Sequence, residues 1–196
     1  MLKSSFNGRL IEAGCDEAGR GCLAGPVFAA AVIFPADYCN TFLNDSKKLT
    51  TGQRDKLRTE IENDAVSWAV AAVDHHEIDR INILNASFLA MHKALGKLSV
   101  TPELILVDGN RFKNFNDIPH ETIVKGDGLY LSIAAASVLA KTHRDEYMKG
   151  IHDLYPDYCW NRNMGYPTHE HRKAVMKLGF SPYHRRTFSV QLKVWE

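Results

Sequence analysis

Two adjacent acids, Asp16 and Glu17, are the residues in this chain most able to do chemistry, and they lie between two apolar stretches. Holding an unpaired carboxylate away from water costs several kcal/mol, so a divalent cation is the natural partner of such a pair. Caps of a helix or strand are the alternative use of acids at this position. The adjacency of two carboxylates favours the metal site.

Glycines follow the acid pair and give a second indication of chemistry. Gly19 and Gly21 let the backbone approach another molecule closely, and Arg20 between them suits a phosphate or another planar anion. An acidic metal site beside a glycine-rich, basic surface predicts metal-dependent work on a phosphodiester.

Two further acids follow segments that read as short strands. Asp108 follows 103–107, and Asp127 follows 121–124 closely. If these strands are neighbours, their carboxylates converge with the acid pair on one sheet edge, where Mg²⁺ or Mn²⁺ would find oxygen ligands. Two such ions about 3.5–4 Å apart can activate a water and stabilise the leaving oxygen of an in-line displacement. The alternative for each Asp-Gly pair is an ordinary turn residue.

Length and composition indicate a globular protein of one domain, or of one domain with a small appendage. The chain has 196 residues, of which 45% are hydrophobic and 24% charged. We expect no membrane span, because no apolar run approaches roughly 20 residues, and no signal peptide at the N-terminus. We expect reduced thiols in a cytoplasmic protein, because the spacing of the cysteines fits neither a disulfide framework nor a zinc site: Cys15, Cys22, Cys39 and Cys159.

Charge is distributed unevenly although the net charge is only +1. Residues 1–140 carry 14 Lys and Arg against 17 Asp and Glu, whereas residues 141–196 carry 10 against 6. The C-terminal part could supply a phosphate-facing surface to an acidic site in the front part. A solvated basic helix face is the alternative.

Alternating apolar runs and helical stripes predict an α/β fold with a mixed sheet and helices on its faces. Strands are predicted over 9–18, 26–34, 66–73, 103–107 and 121–124. Helices are predicted after a capping box at Thr50–Gln53, along a stripe from Leu84 to Leu98, over 130–149, and between Thr168 and Gly179. Residues 150–167 are expected to form a loop to a small C-terminal helical part.

The motifs of the chain resemble, in the same order, those of the bacterial ribonuclease HII family, the type 2 ribonucleases H. The resemblance runs from Ala13 to about Phe188. The motifs that carry it are Asp16-Glu17-Ala18-Gly19-Arg20-Gly21, Asp45-Ser46-Lys47-Lys48-Leu49, Val107-Asp108-Gly109, Lys125-Gly126-Asp127, Ala135-Ala136-Ser137-Val138-Leu139-Ala140-Lys141, Arg144-Asp145, Gly165-Tyr166-Pro167-Thr168 and His184-Arg185-Arg186-Thr187-Phe188.

The resemblance implies a ribonuclease H-like fold with a central mixed five-stranded sheet. It implies one catalytic domain over 1–196, of which about 150–196 is a C-terminal helical extension. The implied enzyme is a two-metal endonuclease that cuts the RNA strand of RNA–DNA hybrids and incises duplex DNA 5′ of a single ribonucleotide, leaving a 3′-hydroxyl and a 5′-phosphate. Its metal ligands and catalytic residues would be Asp16, Glu17, Asp108 and Asp127.

Substrate contacts are expected from two sets of residues. Backbone groups of Gly19, Arg20 and Gly21 can reach the 2′-hydroxyl that distinguishes RNA from DNA, and the resemblance places Tyr166 at the RNA–DNA junction. Phosphate contacts are expected from Lys47, Ser137, Lys141, Arg185 and Arg186. Lys48 is interpreted as a solvated neighbour, and we expect the protein to act as a monomer.

Position 164 departs from the family pattern, which commonly has Lys there where this chain has Met164. The loss of a cation could weaken a phosphate contact, for which Arg162 could compensate. Asp145 fits either an exposed helix salt bridge or a supporting role beside the metals.

Two other functions use the same scaffold. A junction resolvase or integrase-like nuclease would change the substrate, and the Gly-Arg-Gly and Gly-Tyr-Pro-Thr motifs argue against it. A non-catalytic nucleic-acid binder would be favoured by the loss of a carboxylate, and all four are present.

Overall fold

Five strands form one mixed sheet in the computed structural model, which describes residues 2–189. Their order across the sheet is β3-β2-β1-β4-β5. Strand β1 pairs antiparallel with β2 and parallel with β4, β2 pairs antiparallel with β3, and β4 pairs parallel with β5. The strands are β1 Glu12–Ala18, β2 Val27–Ile33, β3 Ser67–Val73, β4 Leu104–Asp108 and β5 His120–Ile123.

Residues 2–189 contain six helices. They are α1 Thr51–Asp64, α2 His75–Ile81, α3 Ile83–Leu95, α4 Leu131–His152, α5 Trp160–Asn163 and α6 His169–Leu178. Of these, α1 to α4 pack on the sheet, and α5 and α6 lie in the C-terminal part. Single 3-10 turns lie at Ser46–Lys48, Gly126–Gly128 and Pro156–Tyr158.

Strand β2 is apolar on both faces because a hydrophobic core lies against each face. Its residues Ala29 and Ala31 pack into the core that includes α3, and Ala30 and Val32 pack into the core beneath α1 and α4. Alternate residues of a strand point to opposite faces. The small side chains allow helices to lie close to the sheet on both sides.

Strand β1 and helix α4 approach most closely at Gly14. A Cβ atom placed there would lie 2.2 Å from the backbone carbon of Ser132 and 2.4 Å from the backbone nitrogen of Ile133. No side chain can be accommodated without movement of the helix backbone. The missing side chain therefore fixes the distance between the end of β1 and the residues of α4 further along, including Ser137 and Lys141.

A third apolar cluster joins the C-terminal part to the end of α4. Its buried members include Met148 of α4, Trp160 of α5 and Val175 of α6, together with Ala24 from the loop after β1. A division at about residue 150 stays a proposal, and residues 190–196 of the expected extension lie outside the described residues.

The predicted elements are confirmed with three differences. Strand bounds agree to within one residue, except that β1 begins at Glu12 and not at residue 9. Helix α2 was not predicted, because its sequence is mostly polar, although Asp74 caps its N-terminus by accepting from the backbone N–H of Glu77 at 2.8 Å. The expected loop over 150–167 is wrong in part, since it contains a 3-10 turn and α5.

Within the described residues, the helices are too short or too polar for any of them to cross a lipid bilayer.

We expect Gly14→Ala to lower the free energy of unfolding by about 2 kcal/mol or more, because the new methyl group meets helix backbone that cannot move aside. Gly150→Ala is the matched control: this exposed glycine of α4 has open space around its Cβ position. It should raise the free energy of unfolding by about 0.5–1 kcal/mol. Urea denaturation of both variants gives the comparison, and equal stability of Gly14→Ala and the parent would contradict the close contact.

Candidate active site

Three adjacent parallel strands bring the predicted acids to one edge of the sheet. Cys15 of β1 lies opposite Val107 of β4. The next residues on these two parallel strands are Asp16 and Asp108, which therefore lie side by side. Strand β5 continues the parallel set beside β4 and leads into the 3-10 turn that contains Asp127. The prediction that the strands are neighbours is confirmed.

A hydrogen bond links the turn that contains Asp127 to the carboxylate of Asp108. The backbone N–H of Gly126 donates to Oδ1 of Asp108 at 2.7 Å. Lys125 turns the chain into this position with φ 59°, in the left-handed region. The result is a tight corner that places Asp127, 3% exposed, beside Asp108.

Burial and neighbouring carboxylates raise the pKa values of Asp16, Glu17 and Asp108. The pKa of Asp16 lies well above its usual range, because its carboxylate is buried and faces Glu17 and Asp108. Burial also raises the pKa of Glu17, against the opposing effect of Arg20, whose Nη1 donates to it at 3.0 Å. The pKa of Asp108 is raised by burial and by the neighbouring Asp127. A bound cation would relieve this accumulation of negative charge.

The four carboxylates are suitable ligands for a hard divalent cation, and they leave room for other ligands such as water and phosphate. Within residues 2–189, no group of three or more His, Cys, Asp and Glu side chains is arranged to hold a metal ion by itself. Mg²⁺ usually keeps several waters and takes one or two protein carboxylates together with substrate phosphates. Asp16, Glu17, Asp108 and Asp127 offer oxygen ligands only, as this ion prefers.

The turn at Asp45 brings a lysine to the acids. Oδ1 of Asp45 accepts the backbone N–H of Lys47 at 2.9 Å, and Ser46 Oγ lies 2.9 Å from Ser137 Oγ of α4. Nζ of Lys47 then lies 3.3 Å from Oδ2 of Asp127. This lysine is mostly exposed and can exchange a carboxylate for a phosphate. Its neighbour Lys48 is exposed, as expected of a solvated residue.

A cleft of about 280 Å³ opens over the acids. It is lined by Asp16, Glu17, Ala18, Gly19, Arg20, Gly21, Ser46, Lys47, Arg54, Asp108, Ser137, Lys141 and Tyr166. Of the predicted site residues, Asp127, Arg185 and Arg186 are not in its lining. Sequence reasoning missed Arg54, whose guanidinium binds the backbone carbonyls of Ser46 and Leu49.

Arg185 does not fit the expected role of a phosphate contact. Its side chain is fully buried, and it donates to the backbone carbonyls of Gly19, Arg20 and Gly25 at 2.8, 2.9 and 2.9 Å. Burial lowers its pKa to about 10. A guanidinium enclosed in this way holds the glycine-rich loop, and it cannot reach a phosphate without giving up these bonds.

Arg144 binds the same loop, and no role was predicted for this residue from the sequence. It is fully buried and donates to the backbone carbonyls of Pro26, Ala24 and Met164 at 3.0, 3.2 and 2.8 Å. Its place in the charged end of α4 is typical of a solvated arginine, so charge pattern alone could not find it. A Cβ atom at Gly19 would lie 2.1 Å from its Nε, which explains the glycine there.

Tyr166 lines the cleft together with the glycine-rich loop, and its hydroxyl interacts with the thiol of Cys22 in the loop after β1. Its ring centre lies 5.5 Å from Nζ of Lys141 and 5.7 Å from Cζ of Arg144. Lys141 in turn donates to Oδ1 of Asp145 at 2.5 Å. Asp145 is only 8% exposed, so the exposed salt bridge is wrong, and this acid instead orients a cleft lysine.

Two remaining cations lie outside the cleft. Arg186 is exposed and stacks over Phe180 at 5.1 Å, and Arg162 is paired with Glu170. Met164 is partly buried against the third apolar cluster, and its carbonyl accepts from Arg144. A packing role therefore accounts for the Met164 side chain, and Arg162 is already engaged by a carboxylate.

Comparisons with known proteins agree with this geometry. A sequence model of the family described as ribonuclease HII matches residues 13–191. Ribonuclease HII of Bacteroides thetaiotaomicron is 62% identical over 190 residues, which cover 97% of this chain and 95% of the relative. The structure of ribonuclease H2 from Pyrococcus horikoshii OT3 aligns with a TM-score of 0.75 at 27% identity, covering 91% of this chain and 94% of that one.

A more distant structure shares the fold. Bst-RNase HIII in complex with Mn²⁺ aligns with a TM-score of 0.69 at 16% identity, covering 92% of this chain and 68% of that one.

We expect the metal-free protein to be stabilised by Asp108→Asn, and increasingly so as pH rises above about 4. A carboxylate whose pKa is raised by folding keeps its proton longer in the folded state, so ionisation at higher pH costs folding free energy. The amide cannot ionise and can still accept from Gly126. Thermal unfolding in chelator from pH 4 to 7 measures the difference.

Asp37→Asn, at an exposed acid outside the cleft, is the control for this measurement and should show no such trend. Adding Mg²⁺ should then stabilise the parent more than Asp108→Asn. A stability difference between Asp108→Asn and the parent that stays constant with pH would contradict the repulsion described above.

Proposed function

The chain belongs to the ribonuclease HII family, and we propose that it incises duplex DNA on the 5′ side of a single embedded ribonucleotide at this cleft, by a two-metal mechanism. Family membership makes it a ribonuclease H, an endonuclease for RNA–DNA hybrids that depends on divalent metal. The finer steps rest on one observation: buried carboxylates share a cleft with a glycine-rich loop and a tyrosine.

Two Mg²⁺ or Mn²⁺ ions, when bound, would activate the attacking water and neutralise the leaving oxygen. Asp16, Glu17, Asp108 and Asp127 are the residues proposed to hold them. The raised pKa values of Asp16, Glu17 and Asp108 support this assignment, because the same crowding that favours protons in the free protein favours a doubly charged cation. A protein of the same fold, Bst-RNase HIII, binds Mn²⁺.

The glycine-rich loop presents donors to the cleft because its carbonyls are engaged behind it. Arg185 binds the carbonyls of Gly19 and Arg20. In a trans peptide the N–H of the following residue points the opposite way, so the N–H groups of Arg20 and Gly21 point away from Arg185. Both residues line the cleft, where such donors can bind a ribose 2′-hydroxyl.

Phosphate groups would be bound by the cations that line the cleft. Lys47 and Lys141 each lie beside a carboxylate in the free protein, and Ser137 lies between them on the cleft wall. Arg186 stays a proposed contact to more distant phosphates, since it is exposed but outside the lining. We assign the reaction to a monomer in the cytoplasm, in line with the sequence-based expectation.

A DNA duplex with one ribonucleotide tests the proposal directly. With Mg²⁺ or Mn²⁺ the parent should cut on the 5′ side of the ribonucleotide, leaving a 3′-hydroxyl, and chelator should abolish the cut. Asp108→Asn should lower kcat by about 10³-fold or more while keeping the fold, because it removes a proposed ligand of the reacting ions. Product mapping on a sequencing gel gives the position. Metal-independent cutting, or full activity of Asp108→Asn, would contradict the two-metal site.

Tyr166→Ala should lower incision at a single ribonucleotide by about 10–100-fold, because the ring lines the cleft beside the loop proposed to bind the 2′-hydroxyl. A long RNA–DNA hybrid, which offers many cleavage positions, should lose less than fivefold. Tyr166→Phe is the matched control that keeps the ring and removes the hydroxyl. Single-turnover rates on the two substrates give the ratio, and equal rates for Tyr166→Ala and parent would exclude Tyr166 from the site.

A further inference from the structure

Two buried histidines connect the C-terminal segment to the backbone of Tyr166. His171 of α6 is fully buried and His184 is 1% exposed. Nε2 of His171 lies 3.1 Å from Nε2 of His184, and Nδ1 of His171 lies 2.9 Å from the backbone carbonyl of Tyr166. Neither ring has a role in the chemistry proposed for the cleft, so their burial needs another explanation.

The partners of the two rings fix which nitrogen carries each proton. A carbonyl only accepts, so Nδ1 of His171 is the donor to Tyr166. Nε1 of Trp160 only donates, and it lies 3.0 Å from Nε2 of His171, so that nitrogen is an acceptor. His184 must then donate from Nε2, while its Nδ1 accepts from the backbone N–H of Ser181 at 2.9 Å.

The assigned chain is Ser181 N–H to His184, His184 to His171, and His171 to the carbonyl of Tyr166. The chain as a whole requires both rings to be neutral, because each ring accepts a hydrogen bond through one of its nitrogens. Burial lowers the pKa of His171, and burial together with His171 lowers the pKa of His184 to about 3. The chain is therefore held in one protonation state and one direction at neutral pH.

The segment that supplies His184 is itself anchored at several points. His184 forms a β-bridge with Ala24, and the backbone N–H groups of Arg186 and Thr187 donate to Asp79 of α2 at 2.7 and 3.0 Å. His184 is thus a fixed point, from which a bond through His171 can set the position of a loop.

We propose that His171, oriented by His184, is a positioning residue for Tyr166, setting the backbone from which the tyrosine ring meets the RNA–DNA junction. The Tyr166 hydroxyl interacts with the thiol of Cys22, and the ring lies 5.5 Å from Nζ of Lys141 and 5.7 Å from Cζ of Arg144. Because the ring is attached to this backbone, a shift of the carbonyl at Tyr166 would move the ring relative to the carboxylates. The inference rests on the proposed role of Tyr166 in cutting at a single ribonucleotide.

Two substitutions of His171 separate positioning from packing. In His171→Asn, the side-chain amide can replace Nδ1–H and still donate to the carbonyl of Tyr166, but it cannot reach the ε-side partners. In His171→Gln, the longer amide reaches Trp160 and His184 and loses the bond to Tyr166. Both variants are polar and each gives up part of the same network, so a merely structural role predicts similar losses.

We expect His171→Gln to lower kcat at a single ribonucleotide by 10-fold or more, with KM changed less than threefold and a long RNA–DNA hybrid cut within threefold of the parent rate. His171→Asn should stay within threefold of the parent on both substrates. Far-UV circular dichroism and thermal midpoints establish that both variants fold. Equal losses in the two variants, or losses that follow their thermal midpoints, would overturn the positioning role.

Tyr166→Ala, measured in parallel, distinguishes this inference from the function on which it rests. If Tyr166→Ala loses junction cutting and His171→Gln does not, His171 has no positioning role although Tyr166 keeps its own. If Tyr166→Ala cuts the junction like the parent, the role of Tyr166 and the inference fail together. Loss in Tyr166→Ala and His171→Gln, with His171→Asn retained, supports both.

Discussion

Repulsion among carboxylates at one sheet edge is the constraint on which the rest of the structure depends. Asp16, Glu17, Asp108 and Asp127 are brought together by three parallel strands, although burial and neighbouring carboxylates raise the pKa values of the first three. Only a rigid frame can hold such groups in place without their partner cation. The sheet is apolar on both faces and clamped by α4 at Gly14, and it supplies that frame.

Two buried arginines, Arg144 and Arg185, hold the glycine-rich loop of the same site in shape. A glycine-rich loop has little side-chain packing of its own, so its shape must come from its backbone. Arg144 and Arg185 bind six backbone carbonyls between them, five in the loop after β1 and one at Met164. Charged donors make stronger bonds than neutral ones, and a planar fork fixes directions as well as distances. The loop is rigid although it contains glycine.

Much of the fold and part of the site could be predicted from the sequence. Apolar runs located all five strands, and the acids at strand ends were found because hydrophobic runs and their polar ends are local signals. The position of Asp127 was harder to predict, because it depends on the turn at Lys125 and on the hydrogen bond from Gly126 to Asp108. Its assignment as a ligand remains a prediction, like that of the other three acids.

Inward-pointing polar groups could not be predicted, and Arg185 is the clearest case. Pattern reasoning treats an arginine near the end of a basic segment as a surface cation, whereas its partners are carbonyls more than 150 residues earlier in the chain. Asp145 and the histidine pair have partners within 13 positions along the chain, and it is their burial that the local pattern does not indicate. Helix α2 was not predicted for a simpler reason. Most of its residues are polar, and its apolar contact with the core is made by two residues, Ile78 and Ile81.

The bonds from Arg185 to the loop after β1 have a consequence for folding. They join residues separated by 160 to 166 positions, whereas the hairpin β1–β2 and helix α4 form from neighbours in sequence. Closing so long a loop is entropically costly and slow, so contacts of this kind form late. The sheet edge with its acids closes a shorter loop, since Cys15 and Val107 are 92 positions apart, and it can assemble before the glycine-rich loop is fixed. Partly folded molecules would then carry the charged centre before the loop proposed to bind the sugar is in place, and under that proposal selectivity would be acquired in the last folding steps.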